Sequence, residues 1–160
     1  MIICIDFETT GLINEYSLDP EDQPGIVQIG MVRLDHDLVE EESFNEMVNP
    51  ELRDTGKWAQ EAQDISNITP DDVVGKPTFF SIFPRFAEFV RGSKYLIGYN
   101  HTGFDIPVLD WQLKRYGCQH NFPWPPRHLE IMDLASEYMD IQGKRGRKNP
   151  KLVEVYKELM

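Results

Sequence analysis

The hydrophobic positions of this chain follow two periods in turn. Ile2-Ile3-Cys4-Ile5 is an apolar run that predicts a buried strand over residues 2–6. Ile26-Val27-Gln28-Ile29-Gly30-Met31-Val32-Arg33-Leu34 predicts a second strand, and residues 43–48 a third. Short turn-rich or polar segments join these three, which predicts an antiparallel meander. Further strands at 95–98 and 129–132 are separated by helical patterns and read as parallel additions. Helices are predicted near 58–64, 79–91, 106–116, 134–140 and 150–160. In the third of these, Val108, Leu109, Trp111, Leu113 and Tyr116 are apolar, and Gly117 stands where helices commonly end in a left-handed residue. Pro84 inside the second predicts a kink. The polar stretch from Asn14 to Pro24 reads as an exposed loop, and Asn121-Phe122-Pro123-Trp124-Pro125-Pro126 as an extended, proline-stiffened connection. The whole is an α/β pattern: a mixed sheet, three antiparallel strands plus parallel ones, flanked by helices.

Composition narrows the picture. The 160 residues suit one domain with its own core, and 41% hydrophobic with 27% charged residues is ordinary for a globular chain. No apolar stretch approaches the ~20 residues that span a bilayer, and no basic-then-apolar leader opens the chain, so a cytoplasmic location without membrane contact is expected. Two cysteines, Cys4 and Cys118, make no disulfide framework, and Cys4 reads as a small buried core residue. A net charge of −11 argues against tight, sequence-independent binding of duplex nucleic acid, which needs Lys and Arg to neutralise phosphates. One basic cluster interrupts the acidity, Lys144-Arg145-Gly146-Arg147-Lys148 with Lys151. It reads as a solvated loop, or alternatively as a contact to a substrate backbone.

The candidate chemistry begins where the first strand ends, at Asp6-Phe7-Glu8. Strand side chains alternate faces, so Asp6 and Glu8 point the same way. Two carboxylates ~6 Å apart repel by roughly 3 kcal/mol at an effective dielectric of ~20. A divalent cation relieves that repulsion, and hard oxygen ligands suit Mg²⁺ or Mn²⁺. With 27 acidic residues in the chain, such a pair also arises by chance, so a second element matters. Asn100-His101-Thr102-Gly103-Phe104-Asp105 supplies one, at a strand-to-helix junction. Asp105 taken alone is equally a helix cap or first-turn acid. His36, His101 and His120 lack an acid at telling spacing and read as surface residues.

Asp6-Phe7-Glu8-Thr9-Thr10-Gly11 resembles the first motif of the DnaQ-like 3′–5′ exonucleases, the DEDD group (DEDDh branch) of the ribonuclease H-like fold. Asn100-His101-Thr102-Gly103-Phe104-Asp105 resembles their second, in the right order and about a hundred residues away. Residues 26–34, Ser43 to Pro50 and Glu61 to Pro70 resemble intervening segments, with Ser66 and Asn67 departing from the pattern. The resemblance implies a ribonuclease H-like mixed sheet and stepwise phosphodiester hydrolysis at the 3′ end of single-stranded DNA or RNA. It further implies two Mg²⁺ or Mn²⁺ ions: Asp6 bridging both, Glu8 on one and Asp105 on the other. The backbone of Phe7, Thr9 and Thr10 would meet the terminal nucleotide, with Phe104 or Tyr99 near its base. Asn100 would brace the loop.

The family's third motif, a His and an Asp on a later helix, would follow the segment resembling Pro150 to Met160. The 160 residues stop before it, so the expectation is one exonuclease-like domain over 1–160 without that helix. A polymerase or a second chain is then an expected partner that completes the site. His128 and Asp133 match the missing spacing literally, but Leu129, Ile131 and Met132 read as strand and Asp133 as the cap of the next helix. The alternative function is a catalytically incomplete nucleic-acid-binding or polymerase-associated module. A haloacid-dehalogenase-type phosphatase is disfavoured, because it needs Asp where Glu8 stands.

Overall fold

The computed structural model describes residues 1–52, 58–143 and 146–160. Five strands form one sheet in the order β3-β2-β1-β4-β5: β1 (Ile2–Thr9), β2 (Ile26–Leu34), β3 (Glu40–Met47), β4 (Tyr95–Gly98) and β5 (Arg127–Glu130). β1, β2 and β3 pair antiparallel, and β4 and β5 add in parallel, as the connection lengths predict. The helices are α1 (Gln60–Ser66), α2 (Phe79–Val90), α3 (Asp105–Arg115), α4 (Ile131–Met139) and α5 (Leu152–Leu159). A small hairpin of β6 (Gln142–Gly143) and β7 (Gly146–Arg147) stands apart from the sheet. Among the described residues, no helix is long and apolar enough to cross a membrane.

β1 alternates strictly. Ile3, Ile5 and Phe7 are buried, together with Ile29 and Met31 of β2 and Phe44 of β3, against Phe79, Ile82 and Phe86 of α2 and Val108, Leu109 and Leu113 of α3. Each such side chain contributes roughly 1.5–3 kcal/mol by leaving water. Phe86 sits at the centre, with its ring centroid 5.1 Å from Phe122, 5.9 Å from Phe79, 6.2 Å from Phe44 and 6.4 Å from Phe7. The opposite face of β1 carries Cys4, Asp6 and Glu8. With Gln28 and Gly30 of β2 and Ser43 and Asn45 of β3, they line an open depression. Cys4 is thus half-buried on the open face, not a core residue as its apolar run suggested.

Several boundaries differ from expectation. β1 runs on to Thr9, so the acid pair lies within the strand and not past its end. α2 is unbroken across Pro84, which is exposed on its solvent side, where only the carbonyl one turn earlier loses a donor. β5 ends at Glu130 and α4 starts at Ile131. The N-cap is therefore Glu130, whose side chain accepts from the Met132 N–H, and Asp133 lies inside the helix. Gly117 has φ +65°, the left-handed position foreseen for it. The Asn14–Pro24 loop is anchored: Arg115 donates to the carbonyls of Pro20 and Gln23, and the buried Gln23 amide bridges Asn14 and Ser17.

The edge strand β3 is acidic. Glu40, Glu41 and Glu42 open it, and Glu46 sits near its end. Glu42 pairs with Arg33 and Glu46 with Arg85.

Candidate active site

Asp6 and Glu8 project from the same face of β1, as period two requires, with Asp6 exposed and Glu8 half-buried. β4 pairs with β1 only from Ile2 to Cys4, so beyond Cys4 the β4 side of β1 has no strand beside it. Asp105, the first residue of α3, takes up one of the groups left there: its Oδ1 accepts from the Phe7 N–H at 2.9 Å. Phe7 lies between Asp6 and Glu8, so this one bond brings the third carboxylate, 98 residues away, to the acid pair.

The three carboxyls resist ionisation. Although Asp6 is exposed on the sheet face, the protein around it strips away part of its water and raises its pKa, and burial with the charge of Asp6 raises that of Glu8. Asp105 is pushed up to about 7, chiefly by burial; the Phe7 N–H works against this, and the charge of Asp6 adds to it. Among the described residues no Lys or Arg pairs with any of them. Acids crowded together without a cation form a donor set that fits hard divalent ions. Among the described residues, Asp6, Glu8 and Asp105 do not bring their ligand atoms within 4.8 Å of one another; the group that does is Asp35, His36 and Asp37. It is the turn between β2 and β3, and Asp35 Oδ1 is already occupied by the N–H groups of Asp37 and Val39.

The loop before α3 is built around His101, which its spacing suggests is a surface residue, and Glu130, which no motif singles out. His101 is fully buried, not a surface residue, and burial lowers its pKa. Gly98 makes room for it: a Cβ there would stand 2.6 Å from the His101 Cβ and 3.0 Å from the Ile5 carbonyl oxygen. Gly98→Ala is therefore expected to displace the 100–104 loop and lower the melting temperature. An unchanged melting temperature would show that the loop tolerates the shift. Glu130, at the end of β5, accepts from the N–H groups of Asn100 (2.6 Å) and Thr102 (3.1 Å) and from Thr102 Oγ1 (2.9 Å). Asn100 shapes the loop through its backbone: its φ is +61°, and its carbonyl accepts from the Gly103 and Phe104 N–H groups.

Residue by residue, the foreseen substrate contacts divide. The Phe7 side chain is in the core, and its N–H is held by Asp105. Thr9 Oγ1 donates to the Gly11 carbonyl, and Thr10 Oγ1 accepts from the Gly25 N–H, so both hydroxyls serve the turn after β1. Phe104 is half-buried beside Asp105 and packs on the core. The Tyr99 hydroxyl donates to the Pro150 carbonyl. His128 is stacked between His101 and Trp124, and neither it nor Asp133 pairs with Asp6, Glu8 or Asp105 among the described residues. In the basic cluster, Arg147 donates to the Ser136 carbonyl and Lys148 to Glu154, as a structural loop would; Lys144 and Arg145 lie outside the described residues.

Comparison with known proteins places this geometry. The family model described as Exonuclease matches residues 3–158. The chain belongs to the DnaQ-like 3′–5′ exonuclease family. Members of this exonuclease family generally use divalent metals. The DNA polymerase III subunit epsilon of Rickettsia conorii is 34% identical over 111 residues, covering 69% of this chain and 43% of that protein. The PolC-type DNA polymerase III of Clostridium perfringens is 30% identical over 116 residues, covering 72% of this chain and 7% of the relative. The chain thus spans under half the length of these relatives. Among solved structures, Exonuclease X in complex with 5′ overhanging duplex DNA superposes with a TM-score of 0.65 at 23% identity, over 99% of this chain and 73% of its own. E. coli Exonuclease I in complex with a dT13 oligonucleotide gives 0.68 at 16%, over 97% and 38%. These two likenesses show the shared ribonuclease H-like fold.

Proposed function

We propose that this chain removes nucleotides from the 3′ end of single-stranded DNA or RNA, with Asp6, Glu8 and Asp105 holding two Mg²⁺ or Mn²⁺ ions. The observation that carries this reading is the Asp105–Phe7 hydrogen bond, which joins the second acidic element to the first at one end of the sheet. Such ions, when bound, polarise the scissile phosphate and the attacking water. The chain's own part is positional. Asp6 and Glu8 are fixed by a strand paired along β2, and Asp105 by the start of α3, so none needs to be ordered when substrate arrives. The exposed side of Asp6 opens onto the sheet depression, which leaves the strand end room to approach. The similarity to DNA polymerase III subunits supports a polymerase as a partner of the working site.

The second reading, a binding or polymerase-associated module without cleavage, is weakened by the same acids. They repel phosphate unless a cation stands between, and Arg147 and Lys148 of the basic cluster are already engaged. Strands labelled at either end, incubated with Mn²⁺, should shorten stepwise from the 3′ end. Chelator or Asp6→Ala should stop this. Binding that persists in chelator with no shortening would establish the module instead.

A further inference from the structure

The site's three acids account for the ions, but not for what keeps Asp105 in reach of Phe7. α3 begins abruptly: its N-cap is Phe104, which offers no side-chain cap. The turn before it must be held from elsewhere. Its internal bonds run from the Gly103 and Phe104 N–H groups to the Asn100 carbonyl, and from the Ile106 N–H to the His101 carbonyl. Those bonds shape the turn without fixing it to the sheet. The fixing point is Glu130. Oε1 accepts from the Asn100 N–H and the Met132 N–H; Oε2 accepts from the Thr102 N–H and hydroxyl and lies 3.0 Å from Nδ1 of the buried His101.

We infer that Glu130 is a positioning residue for the metal site. Its carboxylate ties the Asn100–Thr102 turn to the β5–α4 junction, and so sets where Asp105 meets Asp6 and Glu8. The inference rests on the proposed metal-dependent reading of those acids. Glu130 holds no ion itself, because both its oxygens are occupied by the loop and by α4, and its side chain is only 9% exposed. Its ionised state is built in: burial works against the charge, but the N–H groups of Thr102, Met132 and Asn100 and the Thr102 hydroxyl outweigh it and hold the carboxyl below its ordinary value. Hydrogen bonds linked by short stretches of backbone therefore join the two strands that flank β4: Glu130 of β5 to Asn100 and Thr102, the His101 carbonyl to Ile106, and Asp105 to Phe7 of β1. Outer-shell groups that orient metal ligands act through such paths.

Glu130→Gln keeps the shape but turns one acceptor oxygen into a donor, so either the Asn100 side or the Thr102 side loses its partner. Thr102→Ala removes only the hydroxyl bond and leaves the α4 cap intact. Val155→Ala, at the buried position of the largely exposed α5, is a stability control that removes none of the bonds made by Glu130. Mn²⁺ binding would be measured by electron paramagnetic resonance on the full chain, well below each melting temperature, beside kcat and KM on a labelled single strand. Glu130→Gln should weaken Mn²⁺ binding about tenfold or more, the range seen for outer-shell partners, and lower kcat with KM for the strand within about twofold. Thr102→Ala should weaken Mn²⁺ binding by a smaller factor, and Val155→Ala should lower the melting temperature with Mn²⁺ affinity unchanged. Equal Mn²⁺ affinity in the wild type, Glu130→Gln and Thr102→Ala overturns the inference, as does an equal loss in Val155→Ala. Should Glu130→Gln not fold, Thr102→Ala alone decides. No Mn²⁺ binding by the wild type overturns the proposed function itself, and this inference with it.

Discussion

Asp105→Asn will separate stability from activity. The Asn side chain keeps an oxygen for the Phe7 N–H but carries no charge, so the fold retains the bond and loses the repulsion. In the folded chain the Asp105 carboxyl titrates at about 7, against an ordinary value of 3.8. A raised carboxyl pKa means the folded state binds the proton more tightly than the unfolded state does. Its cost is absent below pH ~4, grows as the pH rises, and is complete above pH ~7. Three units of difference correspond to an upper bound on the order of 4 kcal/mol. In chelator, the variant should therefore melt above the wild type at pH 8 and level with it at pH 4. Mn²⁺ should stabilise the wild type at pH 8 and leave the variant nearly unmoved. Cleavage should fall by more than roughly 10²-fold, the upper end of what an outer-shell residue costs. A variant that cleaves normally, or that is less stable than the wild type at pH 8 without metal, would remove Asp105 from the site.

Phe86→Ala should produce the largest loss of stability. Phe86 is fully buried, and its ring meets four others, two from the sheet, one from α2 and one from the Phe122 segment. Truncation leaves a cavity between layers and costs about 3–5 kcal/mol, against a total of roughly 5–15 for a domain of this kind. The melting temperature should fall by roughly 10 °C or more. Cleavage measured well below that temperature should stay close to wild type, because no acid of the site touches the ring. A fall of only a degree or two would mean that α2 collapses into the space.

These contrasts show what could be read from residue order. Strand period put Asp6 and Glu8 on one face, and the same period put the Phe7 side chain in the core. The meander and the parallel strands followed from connection length, a coarse property that survives errors at strand ends. Boundaries were less visible where side chains suit either state: Leu129, Ile131 and Met132 fit strand or helix, and the choice moved the cap from Asp133 to Glu130. Glu130 was hidden for another reason. It is one of 27 acids, and its role exists only once β5 lies beside β4 and the loop from β4 folds back over it. His101 went unseen likewise, since its burial depends on the space that Gly98 leaves.

The acidic edge strand has a consequence for redesign. An open sheet edge offers unpaired backbone groups to any passing strand, most of all to another copy of itself. On β3, Glu40, Glu41, Glu42 and Glu46 would meet their own kind across such a contact, and like charges opposed there disfavour it. Any redesign that trims the net charge of −11 should spare this strand, since neutral residues there would open the edge to self-adhesion.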